Sequence, residues 1–168
     1  MPTNLEIKAK CPSLIHARNV SRTIGARFGG LLKQTDTYFK VKQGRLKLRE
    51  IDGKKLELIY YHRNNTRGNR YSDYTVLELP KKQAAKRIFD SLFEAAVIVK
   101  KRRELYLYKN SRIHIDSVEG LGGYIEFEVV VVRGKRQAQK LMAFLREEFD
   151  VDPSSLIGVS YSDMLLKR

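Results

Sequence analysis

The chain of 168 residues holds one cysteine, four prolines and no tryptophan. A lone thiol, Cys11, forms no internal disulfide, so stability must come from packing, and the composition suits a reducing cytoplasm. No apolar run approaches the ~20 residues that a membrane-spanning helix needs. The opening Met-Pro-Thr-Asn-Leu-Glu lacks a basic segment followed by an apolar core, so no secretory leader and no membrane association are expected. Acids are scarce as well. Against 33 Lys and Arg stand 19 Asp and Glu, a formal charge of +14, which favours an anionic partner: nucleotide, polyphosphate, nucleic acid or an anionic surface. Repeats and low-complexity tracts are missing, and Glu119-Gly-Leu-Gly-Gly123 is no phosphate loop, because it lacks the Lys-Ser or Lys-Thr ending and leads into a strand. The length suits one domain, residues 1–168, with a sizeable core.

What the chain does have is a set of strands with one fully charged face. In residues 122–132, alternation puts Tyr124, Glu126 and Glu128 on one side and Ile125, Phe127 and Val129 on the other. Arg112, His114 and Asp116 share a face in the same way, as do Arg45, Lys47 and Arg49; Leu5-Glu6-Ile7-Lys8 repeats the pattern. A half-exposed strand with its charges in water would look alike. Yet acids gather on some strands (Glu6, Asp116, Glu126, Glu128) and cations on others (Lys47, Arg49, Lys101, Arg103). If these faces converge, pairs a few ångströms apart interact at roughly 4 kcal/mol for an effective dielectric near 20, around a space suited to a ligand that is both anionic and metal-bound.

In chain order, a strand ending at Cys11-Pro12 is followed by a helix over residues 14–24, capped by Ser13 and closed by Gly25. Residues 31–39 read as a strand in which Asp36 marks a turn or lip. Residues 45–50 and 56–62 flank Asp52-Gly53 and form a hairpin, with Glu57, Ile59, Tyr61 and Arg63 on one face. Residues 64–70 read as a mobile basic loop, 71–79 as a strand, 82–95 as a helix and 97–108 as a long strand. In Lys100-Lys101-Arg102-Arg103, alternation sends Lys101 and Arg103 one way and Lys100 and Arg102 the other, with Glu104 a partner for the second set. A helix over 135–149 is broken by Asp152-Pro153, and residues 160–166 form a short last helix. His114 reads as structural or as a base, Glu57 as a cavity residue or a surface partner for a lysine, and Tyr106 and Tyr161 as packing groups or as supports behind the site residues.

About eight strands joined by short turns, with helices at crossovers, predict an α+β fold: a closed eight-stranded antiparallel β-barrel with helices packed outside. Its polarity would be charged inside and apolar outside; the helices and short strands argue against an outer-membrane barrel.

Asn-Leu-Glu-Ile-Lys near the start, Asp-Thr-Tyr-Phe, Leu-Lys-Leu-Arg-Glu, residues 99–106, residues 115–128 and Ser160-Tyr161 together resemble the CYTH family of triphosphate tunnel metalloenzymes, over nearly the whole chain. The resemblance implies a tunnel that binds a triphosphate with Mg²⁺ or Mn²⁺. It puts metal ligands at Glu6, Asp116, Glu126 and Glu128, and phosphate-binding cations at Lys8, Lys47, Arg49, Arg63, Lys101 and Arg103, with Lys8, Arg49, Lys101 and Arg103 in the catalytic role. Asn4 departs from the pattern, because the family opens Glu-x-Glu-x-Lys, and an amide neutralises a metal less than a carboxylate does. The implied activity is that of a class IV adenylate cyclase, ATP to cyclic AMP and pyrophosphate. The alternatives are an inorganic or thiamine triphosphatase, and a non-catalytic polyphosphate- or RNA-binding module.

Overall fold

The computed structural model describes residues 3–168; Met1 and Pro2, the start of the segment read as carrying no leader, lie outside them. The eight strands are β1 (Thr3–Lys10), β2 (Arg27–Phe39), β3 (Arg45–Ile51), β4 (Lys55–Arg63), β5 (Arg70–Glu78), β6 (Ala95–Tyr108), β7 (Ser111–Val118) and β8 (Gly122–Val130). They close into an antiparallel barrel in the order β1-β5-β4-β3-β2-β6-β7-β8. The helices are α1 (Leu14–Thr23), α2 (Lys82–Leu92), α3 (Lys135–Glu148) and α4 (Tyr161–Leu166), with a 3-10 turn at Pro153–Ser155. Among the described residues no helix is long and apolar enough to cross a membrane.

Local chemistry sets the element ends. The Ser13 side chain accepts from His16 N at the start of α1, and Ser160 and Asp163 form a reciprocal capping box on α4. The β3–β4 turn uses Asp52 and Gly53 at φ 53° and 67°, the left-handed geometry that a tight hairpin needs. Four boundaries move from the sequence reading. β2 begins at Arg27, four residues before the expected start; α2 stops at Leu92, so Ala95 already belongs to β6; β8 ends at Val130; and Arg70 leaves the predicted loop to open β5 as a buried residue. The change at Arg70 has a plain cause. Its guanidinium donates to Ile157 O and Gly158 O at 3.1 Å each, a tertiary contact that a local pattern does not carry.

The core lies outside the barrel wall. Leu5, Ile7, Ile113, Ile115, Ile125, Phe127 and Val129 point outward from β1, β7 and β8 and are covered by α1 and α3 through Ala17, Met142 and Leu145. Phe39, Leu48 and Leu56 pack under Ala85 and Phe89 of α2. Burying such side chains is worth about 1.5–3 kcal/mol each, and this outer shell is what stabilises a barrel whose interior is polar. One end is covered by α4, where Tyr161 joins Val99, Val118 and Tyr124, with Met164 and Leu165 against them.

Candidate active site

The inward faces enclose a cavity of about 390 Å³. It is lined by Lys8, Lys47, Arg49, Arg63, Lys101, Arg103 and Arg112 together with Glu6, Glu57, Glu126 and Glu128. So the charged faces converge instead of meeting bulk water. Away from α4 the lining is mixed, with Leu32, Val76 and Leu105 among Glu57, Arg112 and Glu128.

On the β2–β3–β6 wall the organising group is Asp36, fully buried in mid-strand and not at a turn or lip as its sequence context suggested. Its Oδ2 accepts from Lys47 Nζ at 3.0 Å and Lys101 Nζ at 3.0 Å, and Arg49 forks onto both oxygens at 2.8 Å. Burial alone would raise this carboxyl, but Arg49, Lys101 and Lys47 outweigh it and hold it well below the usual carboxylate range. Lys101 pays for its position: burial, added to by Arg49, Arg103 and Lys47, brings its ammonium down to about 7 despite Asp36. A second buried acid, Asp116, plays a parallel part on β7. Arg103 forks onto it at 2.7 and 2.8 Å and the Tyr161 hydroxyl donates to it at 2.7 Å. Asp36 and Asp116 both sit behind the cations and outside the cavity lining.

Apart from Glu57 on β4, the acids that face the cavity cluster on β1 and β8, where Glu6 and Glu128 are directly opposite and Lys8 faces Glu126. Lys8 Nζ is 3.1 Å from Glu126 Oε2 and 3.9 Å from the centre of the Tyr161 ring. Burial draws the Lys8 ammonium down to about 8, against the pull of Glu126. Burial, then the charges of Glu128 and Glu126, raise the Glu6 carboxyl, while Arg63 and Arg70 act in the opposite sense. His114 Nδ1 lies 3.5 Å from Glu126 and 3.9 Å from Glu128 and makes no hydrogen bond. Ligand atoms of His114, Glu126 and Glu128 all lie within 4.8 Å of one another. An unsatisfied imidazole nitrogen beside two carboxylates, with a third acid held reluctant to ionise, is a donor set that fits a divalent cation.

Of the residues singled out in sequence, all but Asp116 line the cavity, and Asp116 supports Arg103 from behind. Arg63 reaches Glu6 at 3.3 Å, and Arg63 Nε and Nη2 stay unpaired in the interior. Glu57 serves both of its expected roles, lining the cavity and meeting Lys55 Nζ at 2.9 Å. Glu104 does not partner Lys100 or Arg102; it takes a forked contact from Arg18 of α1, because its outward position falls under that helix. Sequence reasoning missed Asp36 as a buried hub, while Tyr161 both packs with Val99 and Tyr124 and supports Asp116. For Asp36 the signal was present, since alternation puts it on the face of Gln34 and Tyr38 within a β-branched, aromatic strand.

Comparison with known proteins now separates family from fold. The CYTH domain profile matches residues 3–151. The chain belongs to the CYTH domain family. Among solved structures, the PH1012 protein of Pyrococcus horikoshii OT3 is 21% identical with a TM-score of 0.83, covering 95% of this chain and 98% of its own. A Vibrio parahaemolyticus adenylate cyclase candidate is 17% identical with a TM-score of 0.79 over 96% and 97%. A Hippeastrum adenylyl cyclase candidate with a dominant triphosphatase activity is 13% identical with a TM-score of 0.69 over 99% and 95%. At these identities the three likenesses show the CYTH barrel and not its reaction. No curated protein matches the chain in sequence.

Proposed function

We propose that this CYTH protein is a metal-dependent enzyme acting on a nucleoside triphosphate, with cyclisation of ATP to cyclic AMP and pyrophosphate as its reaction. One observation carries the reading: a carboxylate–imidazole cluster and two sets of buried cations line one cavity inside the barrel, with Leu32, Val76 and Leu105 beside them. A triphosphate bears about four negative charges; Arg63 offers its unpaired Nε and Nη2, Arg49 and Arg103 offer the N–H groups that Asp36 and Asp116 leave, and Lys8, Lys47 and Lys101 act as point charges. Asp36 fixes Lys47, Arg49 and Lys101, and Asp116 fixes Arg103, before a ligand arrives, so binding need not order them. His114, Glu126 and Glu128, with Glu6 beside them, would hold Mg²⁺ or Mn²⁺; the imidazole tilts the choice toward Mn²⁺. When bound, such an ion neutralises phosphate charge and polarises the reacting phosphorus. Lys101, which lines the cavity and whose ammonium is brought down to about 7, would give a proton to the departing pyrophosphate oxygen.

The Leu32, Val76 and Leu105 side chains in the lining favour a substrate with an organic group over inorganic tripolyphosphate. Hydrolysis is the second reading, because the same residues serve a water nucleophile. Incubation with ATP, tripolyphosphate and thiamine triphosphate in Mg²⁺ or Mn²⁺, with products identified by mass, decides between them. Cyclic AMP with pyrophosphate is the expected result; free phosphate without cyclic nucleotide would transfer the assignment to a triphosphatase.

A further inference from the structure

The four-cation run of β6 is only half used by the barrel interior. Lys101 and Arg103 point in, while Lys100 and Arg102 point out and are exposed, and the acid nearest them in sequence, Glu104, is taken by Arg18. Across the ladder, Arg102 stands directly opposite Lys33 of β2, and Lys100 opposite Thr35. Two like charges facing each other on one side of a sheet are destabilising, and among the described residues no carboxylate comes within ion-pair distance of Lys33, Lys100 or Arg102. Asp52 and Glu119 are close in the chain fold, but Asp52 accepts from the Lys33 backbone and Glu119 N donates to Lys100 O, so neither answers the side-chain charges. The fold carries this repulsion without relieving it internally.

The face is also uncovered. α1 and α3 pack on β1, β7 and β8, α2 on the β3 and β4 side and on Phe39 at the end of β2, and α4 meets β6 through inward Val99, which leaves Leu31 41% and Ile98 51% exposed on β2 and β6. Phe28, 54% exposed, stands at the end of the strip away from α4 with its ring 5.2 Å from that of Tyr106. We propose that the outer face of β2 and β6 is a docking strip for single-stranded nucleic acid, with its phosphates on Lys33, Lys100 and Arg102 and a base on Phe28. Successive outward residues of a strand lie roughly 6.6 Å apart, the scale of one extended nucleotide, so cations at alternate positions can follow a backbone. The hydroxyls of Thr35, Thr37 and Ser117 lie among the cations on the outward face, and of the three exposed apolar residues Phe28 and Leu31 sit at one end of the charged rows and Ile98 at the other. That is a polar, linear surface and not the continuous apolar face that inserts into a bilayer. The strip lies outside the cavity, so the inference does not depend on the reaction proposed above.

The test is fluorescence anisotropy with a labelled oligouridine that carries no terminal phosphate, in chelator, so that neither a metal nor a triphosphate end can report the tunnel. Combining Lys33→Glu, Lys100→Glu and Arg102→Glu is expected to weaken binding at least about tenfold and to flatten the log–log salt slope by about two, at ~0.7 per lost phosphate contact. A control with the same charge change on the opposite side, Arg133→Glu, Arg136→Glu and Lys140→Glu, is expected to lose less than about threefold. A far-UV spectrum and a urea midpoint like those of the native protein verify the fold of both variants; if the charge reversals fail this check, the three glutamine substitutions replace them, with the same change of slope expected. Equal losses in strip and control variants would overturn the proposal, as would no binding of oligouridine. Strip-dependent capture on phosphatidylserine vesicles with no oligouridine binding would overturn it too, and assign the face to lipid.

Discussion

Replacing Asp36 by Asn tests whether one buried carboxylate holds a wall of the tunnel together. The substitution keeps the shape and removes the charge, leaving Lys47, Arg49 and Lys101 buried with no counter-ion within 3.0 Å on that wall. Removing one partner of a buried ion pair costs about 3–5 kcal/mol. For a chain of this size that lowers Tm by roughly 10 °C or more. The pH dependence is more diagnostic than the size. Lys101 has its ammonium near 7 in the fold against an ordinary 10.5, so while protonated it weakens the fold, and stability rises with pH from about 7 up to 10.5. Asp36 raises that value, so Asp36→Asn lowers it further. Between the variant's value and about 7, the folded variant has already lost the proton that its unfolded chain keeps; its stability climbs with pH while that of the native protein stays level. The deficit therefore shrinks toward neutrality, by about 1.4 kcal/mol for each pH unit of separation. Urea unfolding at about pH 5.5 and 8 measures both; the carboxyl of Asp36 itself, held low, stays ionised across that range. A cost below about 1 kcal/mol, as for an exposed pair, or a deficit that ignores pH would refute the account of this wall.

Arg49→Ala is expected to weaken tripolyphosphate binding by tenfold or more and orthophosphate binding far less, since contacts spread along a phosphate chain; calorimetry with both anions checks it. Glu128→Gln should reduce Mn²⁺ affinity by about 10-fold or more with an unchanged far-UV spectrum, because it removes one of the three clustered donors. Tyr161→Phe deletes the 2.7 Å bond to Asp116 and should cost about 1.5–3 kcal/mol in urea unfolding, while the ring beside Lys8 is kept.

Much of this architecture was legible because alternation along a strand is a strong local signal. Tyr124, Glu126 and Glu128 could only share a face, and the sign of charge segregates by strand, so convergence on a charged interior followed from eight short strands with no other way to hide their edges. What stayed hidden depends on contacts between distant segments. Arg70 reads as loop because its neighbours are Asn and Gly, yet Ile157 and Gly158, far along the chain, supply the carbonyls that bury it. Asp36 reads as a lip residue because a lone acid among Thr and Tyr is ordinary at a turn; only the register that puts it opposite Arg49 and beside Lys101 makes it a hub. Tyr161 belongs to a helix too short to predict a position for, and it is the capping box at Ser160 and Asp163, tied to Arg45 at 2.7 and 2.9 Å, that aims it into the barrel.

The interior carboxylates fall into two groups by what stands between them and the cavity, and Asp116→Asn asks whether that division is functional. Glu6, Glu126 and Glu128 face the space, whereas Asp36 and Asp116 are fully buried behind the cations that they bind. Asp116 was expected in sequence to hold metal alongside the glutamates. In the fold its two oxygens accept two bonds from Arg103 and one from Tyr161, and Arg103 and Lys101 keep its carboxyl below the ordinary range against the effect of burial. To reach an ion it would have to give up contacts to a buried guanidinium, each charge-assisted bond worth about 1.5–3 kcal/mol. Asp116→Asn is therefore expected to cost about 3–5 kcal/mol of stability and to loosen Arg103, weakening tripolyphosphate binding, while Mn²⁺ affinity stays within about twofold. Glu126→Gln should show the reverse order, with the larger loss in Mn²⁺ affinity. Titration of Mn²⁺ into both variants, followed by calorimetry, compares them directly. A loss of Mn²⁺ affinity in Asp116→Asn as large as that in Glu126→Gln would return Asp116 to the metal and require Arg103 and Tyr161 to release it when the ion binds.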